Sequence, residues 1–536
     1  MENIYKWCSC WKLAICPDKS AIIDLSNKNL SSLPRITYAG IPLTWSESLK
    51  YLGIQFAKNN QNGCILRNLR SKALKKINGI KILGYKRNGP RTKHLITIAN
   101  NSILSLFYYS CPIVNKFSET HLKSCNVIQT TTLRIALGVP IWTPNIILSK
   151  LAGQKIMSVK IRRLAIQFFI KQIATHPFSP LIHTNDESNL QLVEKDAESL
   201  RVTFHNLNCI PDHVITLPVL PHSNPNLCEI FLKDFRFQSK EIPVSIIATS
   251  FTECIQSFFP NHSIIATDGS KSHCYTSIAG LSNIQQFSYR IHPLNSVLTA
   301  NVLAICQALD ELAVPEKDTL ILSDSYSALS SLKNITFHSP KVIQRLASKI
   351  HVRKSMNQNI SLLWVPGHAR IFWNEKADSL AKQITDSTSF IKWIASEDII
   401  SNLKRQPIQI THDNYRKSKY QAMIGNVPDI ITISKWTGNR VQDRLIARII
   451  SKTIITGLLH RFNLHPDPLC IVCNENNDIS HILLKCKKYA SFRAILWNKL
   501  NIFEPNITYD ILLSHVFTDK KNLTICIQAL KYFDIS

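Results

Sequence analysis

Three aspartates in the second half of the chain have the type and setting of metal-binding carboxylates. Asp268 follows the apolar run SIIAT, Asp324 follows TLILS, and Asp378 lies in the predicted helix FWNEKADSLAKQI. Carboxylates gathered in one pocket repel one another, and a divalent cation is the simplest compensation. Oxygen ligands favour Mg²⁺ or Mn²⁺ over zinc. Two such ions about 4 Å apart can hold the attacking water and the leaving oxygen of a displacement at phosphorus.

Each aspartate also has an ordinary structural interpretation. Asp268 before Gly269 is typical of a turn, and Asp324 before Ser325 is typical of a helix cap. The order of the three residues, and the apolar run in front of two of them, favour a shared site instead.

The segment around these aspartates predicts an α/β domain that begins near residue 262. SIIATD, SIAGLSN and QFSYRIH predict three strands, the first ending at Asp268 because Gly269, Ser270 and Lys271 follow it. VLTANVLAICQALDELA predicts a long helix, with apolar residues at steps of three and four. TLILS and ISLLW predict two further strands, each followed by a helix. This order predicts a mixed sheet with flanking helices.

These segments resemble the type 1 ribonuclease H domains over roughly residues 262–387. ATDGSK resembles the family's first-strand motif, SDSYSAL its third acidic motif, and WVPGHARIFWNEKAD its His loop and final acidic helix. The resemblance implies a five-stranded mixed sheet and two-metal hydrolysis of the RNA strand of RNA–DNA hybrids. It further implies that Asp268, Asp324 and Asp378 are Mg²⁺ (or Mn²⁺) ligands, with Asp268 between the two ions. His368 would assist product release or proton transfer.

Asn301 departs from the family pattern. The family has a glutamate early in the first long helix, and the segment TANVLAI places Asn301 there. Asp310 and Glu311 cannot easily replace it, because they lie about 13 Å further along the helix axis. Unit charges about 4 Å apart interact by about 4 kcal/mol at an effective dielectric constant of about 20. Losing part of the interaction energy between this carboxylate and the metal ions predicts that turnover is slowed by about 10³-fold or more. Two functions therefore stay open: a hybrid-cleaving endoribonuclease, and a catalytically impaired nucleic-acid-binding protein.

Two further departures concern the loop of His368. Arg370 and Trp373 stand where the family usually has glycines, which predicts an altered loop geometry.

The charge of the chain favours a nucleic-acid partner. Its 536 residues include 63 Lys and Arg against 36 Asp and Glu, a net charge of +27. Such an excess is typical of proteins that bind polyanions, and it argues against a purely structural protein. No apolar stretch approaches the roughly 20 residues that a membrane-spanning helix needs. The N-terminus lacks a continuous secretory core, so we expect an intracellular protein of the cytoplasm or nucleus that is not secreted.

A basic run follows residue 60 in a region with helical periodicity. Ten Lys or Arg and no acidic residue lie between Arg67 and Lys93. A solvated helix surface is one interpretation, and a positive face that tracks a nucleic-acid backbone is the other. The candidates for nucleic-acid binding are Arg67, Arg70, Lys72, Lys75, Lys76, Lys86 and Arg87.

A cysteine and histidine cluster near the C-terminus predicts a zinc site. The chain has 15 cysteines, an odd and scattered set that favours reduced thiols over a disulfide framework. CIVCNENNDISHILLKC has the spacing C-x₂-C-x₇-H-x₄-C, formed by Cys470, Cys473, His481 and Cys486. These residue types can close a tetrahedral zinc site. The alternative is a small reduced core in which the histidine is only hydrogen-bonded.

The flanking segments suggest a larger context. WCSCWKLAICPDKSAII, SLKYLGIQF and VIQTTTLRIALGVPIWTP loosely resemble the end of the palm and the thumb side of a non-LTR retrotransposon reverse transcriptase. Ribonuclease H-bearing proteins of these elements often end in a similar zinc knuckle. The chain is thus interpreted as the C-terminal part of such a polyprotein. It has no Phe- or Tyr-x-Asp-Asp pair, so we expect no polymerase activity.

This interpretation predicts five successive regions. They are a palm-like remnant with one strand at 48–56 (1–60), a basic, mostly helical thumb- or connection-like region (61–176), a linker with short helices (177–260), the ribonuclease H domain (261–388), and a helical C-terminal region with a zinc knuckle at 470–486 (389–536).

Overall fold

A computed structural model of the chain describes residues 2–24, 34–58, 61–86, 89–175, 190–215, 227–239, 242–273, 275–454, 467–504, 506–533 and 535. The chain forms two compact units. The first unit comprises Met1–Ala165 and Gln406–Ser536, and the second unit comprises Ile166–Arg405.

Within the described residues, the strands are β1 (Ala21–Ile22), β2 (Thr37–Tyr38), β3 (Ile41–Pro42), β4 (Thr44–Trp45), β5 (Ser48–Tyr51), β6 (Ile54–Ala57), β7 (Glu229–Phe231), β8 (Ser263–Lys271), β9 (Thr276–Leu281), β10 (Gln286–Ile291), β11 (Thr319–Ser323), β12 (Ile360–Trp364) and β13 (Phe390–Ile391).

The α-helices of the described residues are α1 (Glu2–Cys10), α2 (Gln61–Tyr85), α3 (Thr92–Ala99), α4 (Ser105–Tyr109), α5 (Cys111–Val114), α6 (Glu119–Leu137), α7 (Asn145–Ala152), α8 (Met157–Thr175), α9 (Leu190–Asn206), α10 (Val244–Phe258), α11 (Val297–Glu311), α12 (Tyr326–Lys333), α13 (Lys341–Ser355), α14 (Phe372–Lys382), α15 (Ser396–Arg416), α16 (Lys419–Ile424), α17 (Ile430–Ile433), α18 (Arg440–Ile450), α19 (Ala490–Leu500), α20 (Tyr509–Val516) and α21 (Lys520–Ala529).

The second unit is built on one mixed sheet of order β13-β10-β9-β8-β11-β12-β7. β8, β9 and β10 form an antiparallel meander, whereas β8, β11, β12 and β7 run parallel to their neighbours. The parallel strands are nearly continuous apolar runs because helices cover both faces of the sheet. Ile265, Ile321 and Leu362 pack on the side of α11, α12 and α13. The alternate residues, such as Ala266 and Leu363, pack on the side of α10 and α14.

The sheet extends beyond the five predicted strands on both edges. β7 comes from the region predicted to be a linker and pairs with β12, while β13 pairs with β10. α10 also belongs to that region, and its Ile247 and Phe251 are buried in the core of the sheet. The described part of 177–260 is therefore largely integrated into the second unit, because its apolar residues cover a sheet face that would otherwise be exposed to water.

β8 does not end at Asp268, as the sequence predicted. It continues to Lys271, where it pairs with Thr276 of β9, while its parallel partner β11 stops at Ser323. Gly269 is not a turn residue either. A Cβ at this position would lie 2.5 Å from the backbone nitrogen of Asn301, so the glycine permits the close packing of α11 on the strand.

The first unit has one hydrophobic core that draws on both ends of the chain. It combines residues from Ile54 to Ile161 with residues from Ile424 to Ile535. From the sequence, residues 61–176 and 389–536 were predicted to form separate regions. In the structure, buried residues from both ranges share this core. The second unit is thus inserted in sequence between two parts of one fold.

Buried polar contacts join these two parts of the first unit. Asp443 of α18 is buried and accepts hydrogen bonds from Thr92 N at 3.1 Å and from Thr437 Oγ1. Arg440, also buried, donates to Thr92 Oγ1 at 2.6 Å and to the carbonyl of Ala136 at 2.5 Å. Side chains more than 300 residues distant in sequence therefore satisfy the ends of α3 and α6.

The segment 48–56 forms a hairpin rather than the single predicted strand. β5 and β6 pair through a two-residue turn in which Leu52 and Gly53 have φ of 47° and 83°. Two positive φ values are typical of a type I′ hairpin turn. Leucine is unusual at such a position, which is why the sequence did not indicate the turn.

No helix in the described part of the chain is both long enough and apolar enough to cross a membrane.

Candidate active site

Asp268 and Asp324 occupy corresponding positions on two neighbouring parallel strands. Thr267 of β8 lies opposite Ser323 of β11, so the next residue on each chain segment is an aspartate. Neighbouring strands are about 4.8 Å apart, which places the two carboxylates side by side. Asp268 is only 7% exposed. Because side chains alternate along β8, the Asp268 side chain lies on the sheet face that carries α14.

Asp378 reaches the same place from α14. This helix packs against β8 and β9, and the Asp378 charge acts on both Asp268 and Asp324. Its Oδ2 accepts a hydrogen bond from Lys382 Nζ at 2.7 Å, an i,i+4 ion pair along the helix. The structure thus brings all three predicted aspartates together.

The three carboxylates perturb one another. Burial, and then the charges of Asp324 and Asp378, raise the pKa of Asp268 to about 7, although Gly269 N and Lys382 oppose the rise. Burial and the Asp378 charge also raise the pKa of Asp324. Such raised values mark a cluster that has too little positive charge of its own and favours a bound cation.

Asn301 presents an unpartnered oxygen close to this cluster. It is 4% exposed, and its Nδ2 donates to the carbonyls of Val297 at 3.0 Å and Gly269 at 3.3 Å. Because both neighbours are acceptors, the amide nitrogen must face them, which leaves Oδ1 buried without a hydrogen-bond partner among the described residues. Asn301 thus lies beside Gly269, the residue that follows Asp268, and carries an uncharged oxygen that no other described residue uses.

The loop of His368 closes the site on the side of Asp324. A Cβ at Gly367 would lie 3.0 Å from Asp324 Oδ2, so the loop backbone contacts this carboxylate directly. His368 is exposed, and its charge lowers the pKa of Asp324. Arg370 has a φ of 59°, a conformation that suits the glycine usual in the family, whereas Trp373 lies within α14.

Two residues of this site were not predicted from the sequence. Asn374 is 3% exposed and donates a hydrogen bond to the Asp324 carboxylate, which lowers the pKa of that group. Trp364 Nε1 donates to the backbone carbonyl of Asp324 at 3.0 Å. Asn374 could have been noticed because it lies four residues before Asp378, on the same face of the predicted helix.

These residues fit a divalent cation. Asp268, Asp324 and Asp378 supply only oxygen donors, which suit Mg²⁺ or Mn²⁺. Asn374 contacts Asp324, Asn301 contacts the carbonyl of Gly269, and each has an amide oxygen without a partner among the described residues. Lys382 neutralises only part of the charge of the cluster.

The four predicted zinc ligands also converge, in the first unit. The ligand atoms of Cys470, Cys473, His481 and Cys486 all lie within 4.8 Å of one another. Cys486 Sγ is 3.8 Å from the sulfurs of both Cys470 and Cys473. Zn–S bonds of about 2.3 Å in a tetrahedron separate two sulfurs by about 3.8 Å, so the spacing fits zinc.

The surroundings of this cluster hold its ligands in place. His481 Nδ1 lies 3.0 Å from Glu475 Oε2, which leaves Nε2, buried and without a hydrogen-bond partner in the described residues, as the ligand atom. The His481–Lys485 segment is a π-helical turn rather than the predicted helix. Arg493, 7% exposed, donates to the carbonyls of Leu484 and Cys486 and so fixes the end of that turn.

The basic residues predicted to bind nucleic acid differ in their availability. Lys72 Nζ donates to the carbonyl of Gly53 at 2.9 Å, and Lys76 Nζ donates to that of Ser102 at 2.7 Å. These ammonium groups are already engaged with the backbone. Arg87 lies outside the described residues.

The other four candidates do not form a single face. At about 100° per residue, Arg67 and Arg70 project from one side of α2, and Lys75 is directed about 80° or more away from them. Lys86 follows the last residue of α2. The buried stripe of α2 fixes the rotation of the helix and therefore the side from which each of these cations projects. Their role in nucleic-acid binding stays a prediction.

Comparison with known families supports the interpretation of the second unit. Residues 260–386 match the RNase H family model, a range that contains all three aspartates, Asn301 and His368. Among curated proteins, none has a sequence that matches the chain significantly. The match confirms the predicted α/β fold, and the mixed sheet that carries the three aspartates, with its flanking helices, is an RNase H domain.

Proposed function

We propose that the RNase H domain hydrolyses the RNA strand of RNA–DNA hybrids with the help of Mg²⁺ or Mn²⁺. The proposal rests on the convergence of Asp268, Asp324 and Asp378, where burial, and then the charges of the other two aspartates, raise the pKa of Asp268 to about 7. Buried carboxylates that repel one another are stabilised by a bound divalent cation.

The residues of the site have separable roles in this proposal. Asp268, Asp324 and Asp378 would hold the cations, and Asn374 orients Asp324 through a hydrogen bond. The bound cations would lower the pKa of the attacking water and stabilise charge on the phosphate. His368, exposed on its loop, is free to exchange a proton with the leaving group or with solvent.

Asn301 favours a second candidate function, a nucleic-acid-binding protein with little or no cleavage. Its amide oxygen carries no formal charge, so the site lacks one carboxylate relative to the family pattern. We therefore expect slow cleavage rather than efficient cleavage, and the two functions differ in whether the native chain cleaves at all.

The decisive experiment compares Asn301→Glu with Asn301→Gln, which has the same length but no charge. A hybrid labelled on its RNA strand is incubated with the full chain and Mg²⁺ or Mn²⁺. We expect Asn301→Glu to raise the rate by about 10³-fold, in line with one restored charge, and Asn301→Gln to leave it low. Asp268→Asn should abolish cleavage.

The outcomes separate the candidates. Native cleavage that Asp268→Asn abolishes supports the enzyme. Hybrid binding without cleavage by the native chain, with a large gain of cleavage in Asn301→Glu, supports the catalytically impaired binding protein. Cleavage of double-stranded RNA at the same rate would contradict the proposed substrate.

We also propose that Cys470, Cys473, His481 and Cys486 hold one Zn²⁺. The sulfur spacing of 3.8 Å supports this, as does the Glu475 carboxylate beside His481. The purified chain should contain one equivalent of zinc, Cys486→Ser should contain none, and Cys64→Ser, outside the cluster, should retain it. Equal zinc content in the two variants would contradict the assignment.

The retrotransposon origin is a further proposal. It is supported by the loose resemblance of the segments around residues 7–23, 48–56 and 127–144 to a reverse transcriptase, and by the terminal Cys and His spacing. We expect no polymerase activity, because the chain has no Phe- or Tyr-x-Asp-Asp pair.

A further inference from the structure

A cavity of about 460 Å³ lies in the first unit, where the end of α2, the end of α6 and α18 meet. Four cationic side chains line it, and no described Asp or Glu does; the cations are Lys81, Arg134, Arg444 and Arg448. Leu74, Ile77, Ile135 and Ile141 add apolar surface. A concave site with an apolar surface and several cations is suited to an anion that also carries an apolar part.

Backbone contacts fix two of the arginines at the cavity. Arg134 Nη2 donates to the carbonyl of Thr143 at 3.0 Å and to Asn145 Oδ1 at 2.7 Å. Arg448 Nε donates to the carbonyl of Gly138 at 2.9 Å. These bonds leave other N–H groups of both guanidinium groups for a ligand. Arg134 Nε, in particular, is buried with no hydrogen-bond partner among the described residues.

The other two cations of the cavity, Arg444 and Lys81, are not explained by contacts with helix ends. Neither side chain forms an ion pair within the part of the chain that the structure describes. The aliphatic part of Arg444 lies across Gly138, where an added Cβ would come within 2.6 Å of Arg444 Cγ. Its charge acts on Arg448, which is also positive. Like charges held together in this way are stabilised by an anion between them.

The cavity continues a stripe of α2 that begins at Arg67. At about 100° per residue, Arg67, Arg70, Leu74, Lys81 and Tyr85 fall within about 60° of arc. The stripe is about 27 Å long at 1.5 Å per residue. It alternates cations with apolar residues and ends at Tyr85, which is 66% exposed beside Lys81. Positive grooves with exposed aromatic rings are typical of single-stranded nucleic-acid sites.

We infer that this cavity and stripe bind single-stranded nucleic acid. The guanidinium groups of Arg444 and Arg448, with Lys81, hold backbone phosphates, and one unstacked base packs on Tyr85 and the apolar surface of the cavity. A paired base in a duplex is less suited, because it must leave its stack to enter. The site is in the first unit and does not depend on the proposed hydrolysis in the second.

The test measures binding of a fluorescent 20-mer of oligo(dT) to the full chain over a range of salt concentrations. Arg444→Ala and Lys81→Ala should each weaken binding about ten-fold and reduce the log–log salt slope by about one, since each removes a phosphate contact. Tyr85→Ala should weaken binding about ten-fold with an unchanged slope, because stacking releases no counterions. Arg444→Lys should keep the slope.

Matched controls are Arg416→Ala and Lys499→Ala, exposed cations of the first unit that do not line the cavity. Neither should change the affinity more than two-fold, and thermal unfolding should show that all variants are folded. Equal losses in control and cavity variants would show diffuse attraction and overturn the assignment. A poly-glutamate peptide that binds as tightly, with no effect of Tyr85→Ala, would also overturn it.

Discussion

Replacing Asp268 by asparagine is expected to stabilise the metal-free protein at neutral and alkaline pH. Asp268 is 7% exposed, and burial with the charges of Asp324 and Asp378 raises its pKa from 3.8 to about 7. An acid whose pKa is higher in the folded protein binds more protons when folded, so stability falls as pH rises through this window. Asparagine has nearly the same shape and no charge to bury.

The size of the effect follows from the pKa shift. A shift of about 3 units corresponds to on the order of 4 kcal/mol at about 1.36 kcal/mol per unit. The free-energy cost of burying the ionised Asp268 carboxylate is absent well below about pH 4, where the carboxyl is protonated in both the folded and the unfolded state. This cost is complete above about pH 7. The advantage of Asp268→Asn should therefore be on the order of 0.5 kcal/mol at pH 4 and close to the full value at pH 8.

Hydrogen exchange in EDTA measures this locally. The amides of β8 and β11 report on opening of the RNase H domain, and variant and native chain are compared at the same pH. Glu253→Gln, an exposed acid-to-amide change on α10, should show no pH-dependent difference. Mg²⁺ should favour the native chain, because a cation stabilises the form that binds it. Equal hydrogen-exchange protection of β8 and β11 in Asp268→Asn and in the native chain at pH 8 would contradict this prediction.

Three further changes test the packing around these sites. Asp443→Asn should destabilise the first unit by about 3–5 kcal/mol in urea unfolding, because it leaves the buried end of Arg91 without its charged partner. Arg370→Gly should stabilise the second unit by up to about 1 kcal/mol, as glycine adopts a φ of 59° without strain, whereas Arg370→Ala should not. Gln238→Leu should destabilise the second unit by about 1–3 kcal/mol, because it removes the 2.8 Å bond to the Trp364 carbonyl. An unchanged free energy of unfolding for Asp443→Asn, Arg370→Gly or Gln238→Leu would contradict the reason given for that variant.

The sequence by itself was enough to predict the local parts of both sites. Strands such as SIIAT and TLILS are short apolar runs, and the helix around Asn301 has a clear three- and four-residue period, so the elements and their order could be predicted. The aspartates at their ends, and the spacing of Cys470 and Cys473, follow from residues close together in the chain. The RNase H fold was predictable because ATDGSK, SDSYSAL and WVPGHARIFWNEKAD resemble the motifs of that family.

Only the tertiary structure decided how distant segments meet. Gly269 belongs to a strand because β9 pairs with it and α11 approaches it, and neither partner is visible in its own sequence context. Likewise, Arg440 and Arg444 lie hundreds of residues from the helices that they contact, so the shared core of the first unit and its cationic cavity could not be predicted. Local patterns reflect backbone preferences and helix or strand periods, whereas such contacts depend on which buried surfaces fit together after the chain has folded.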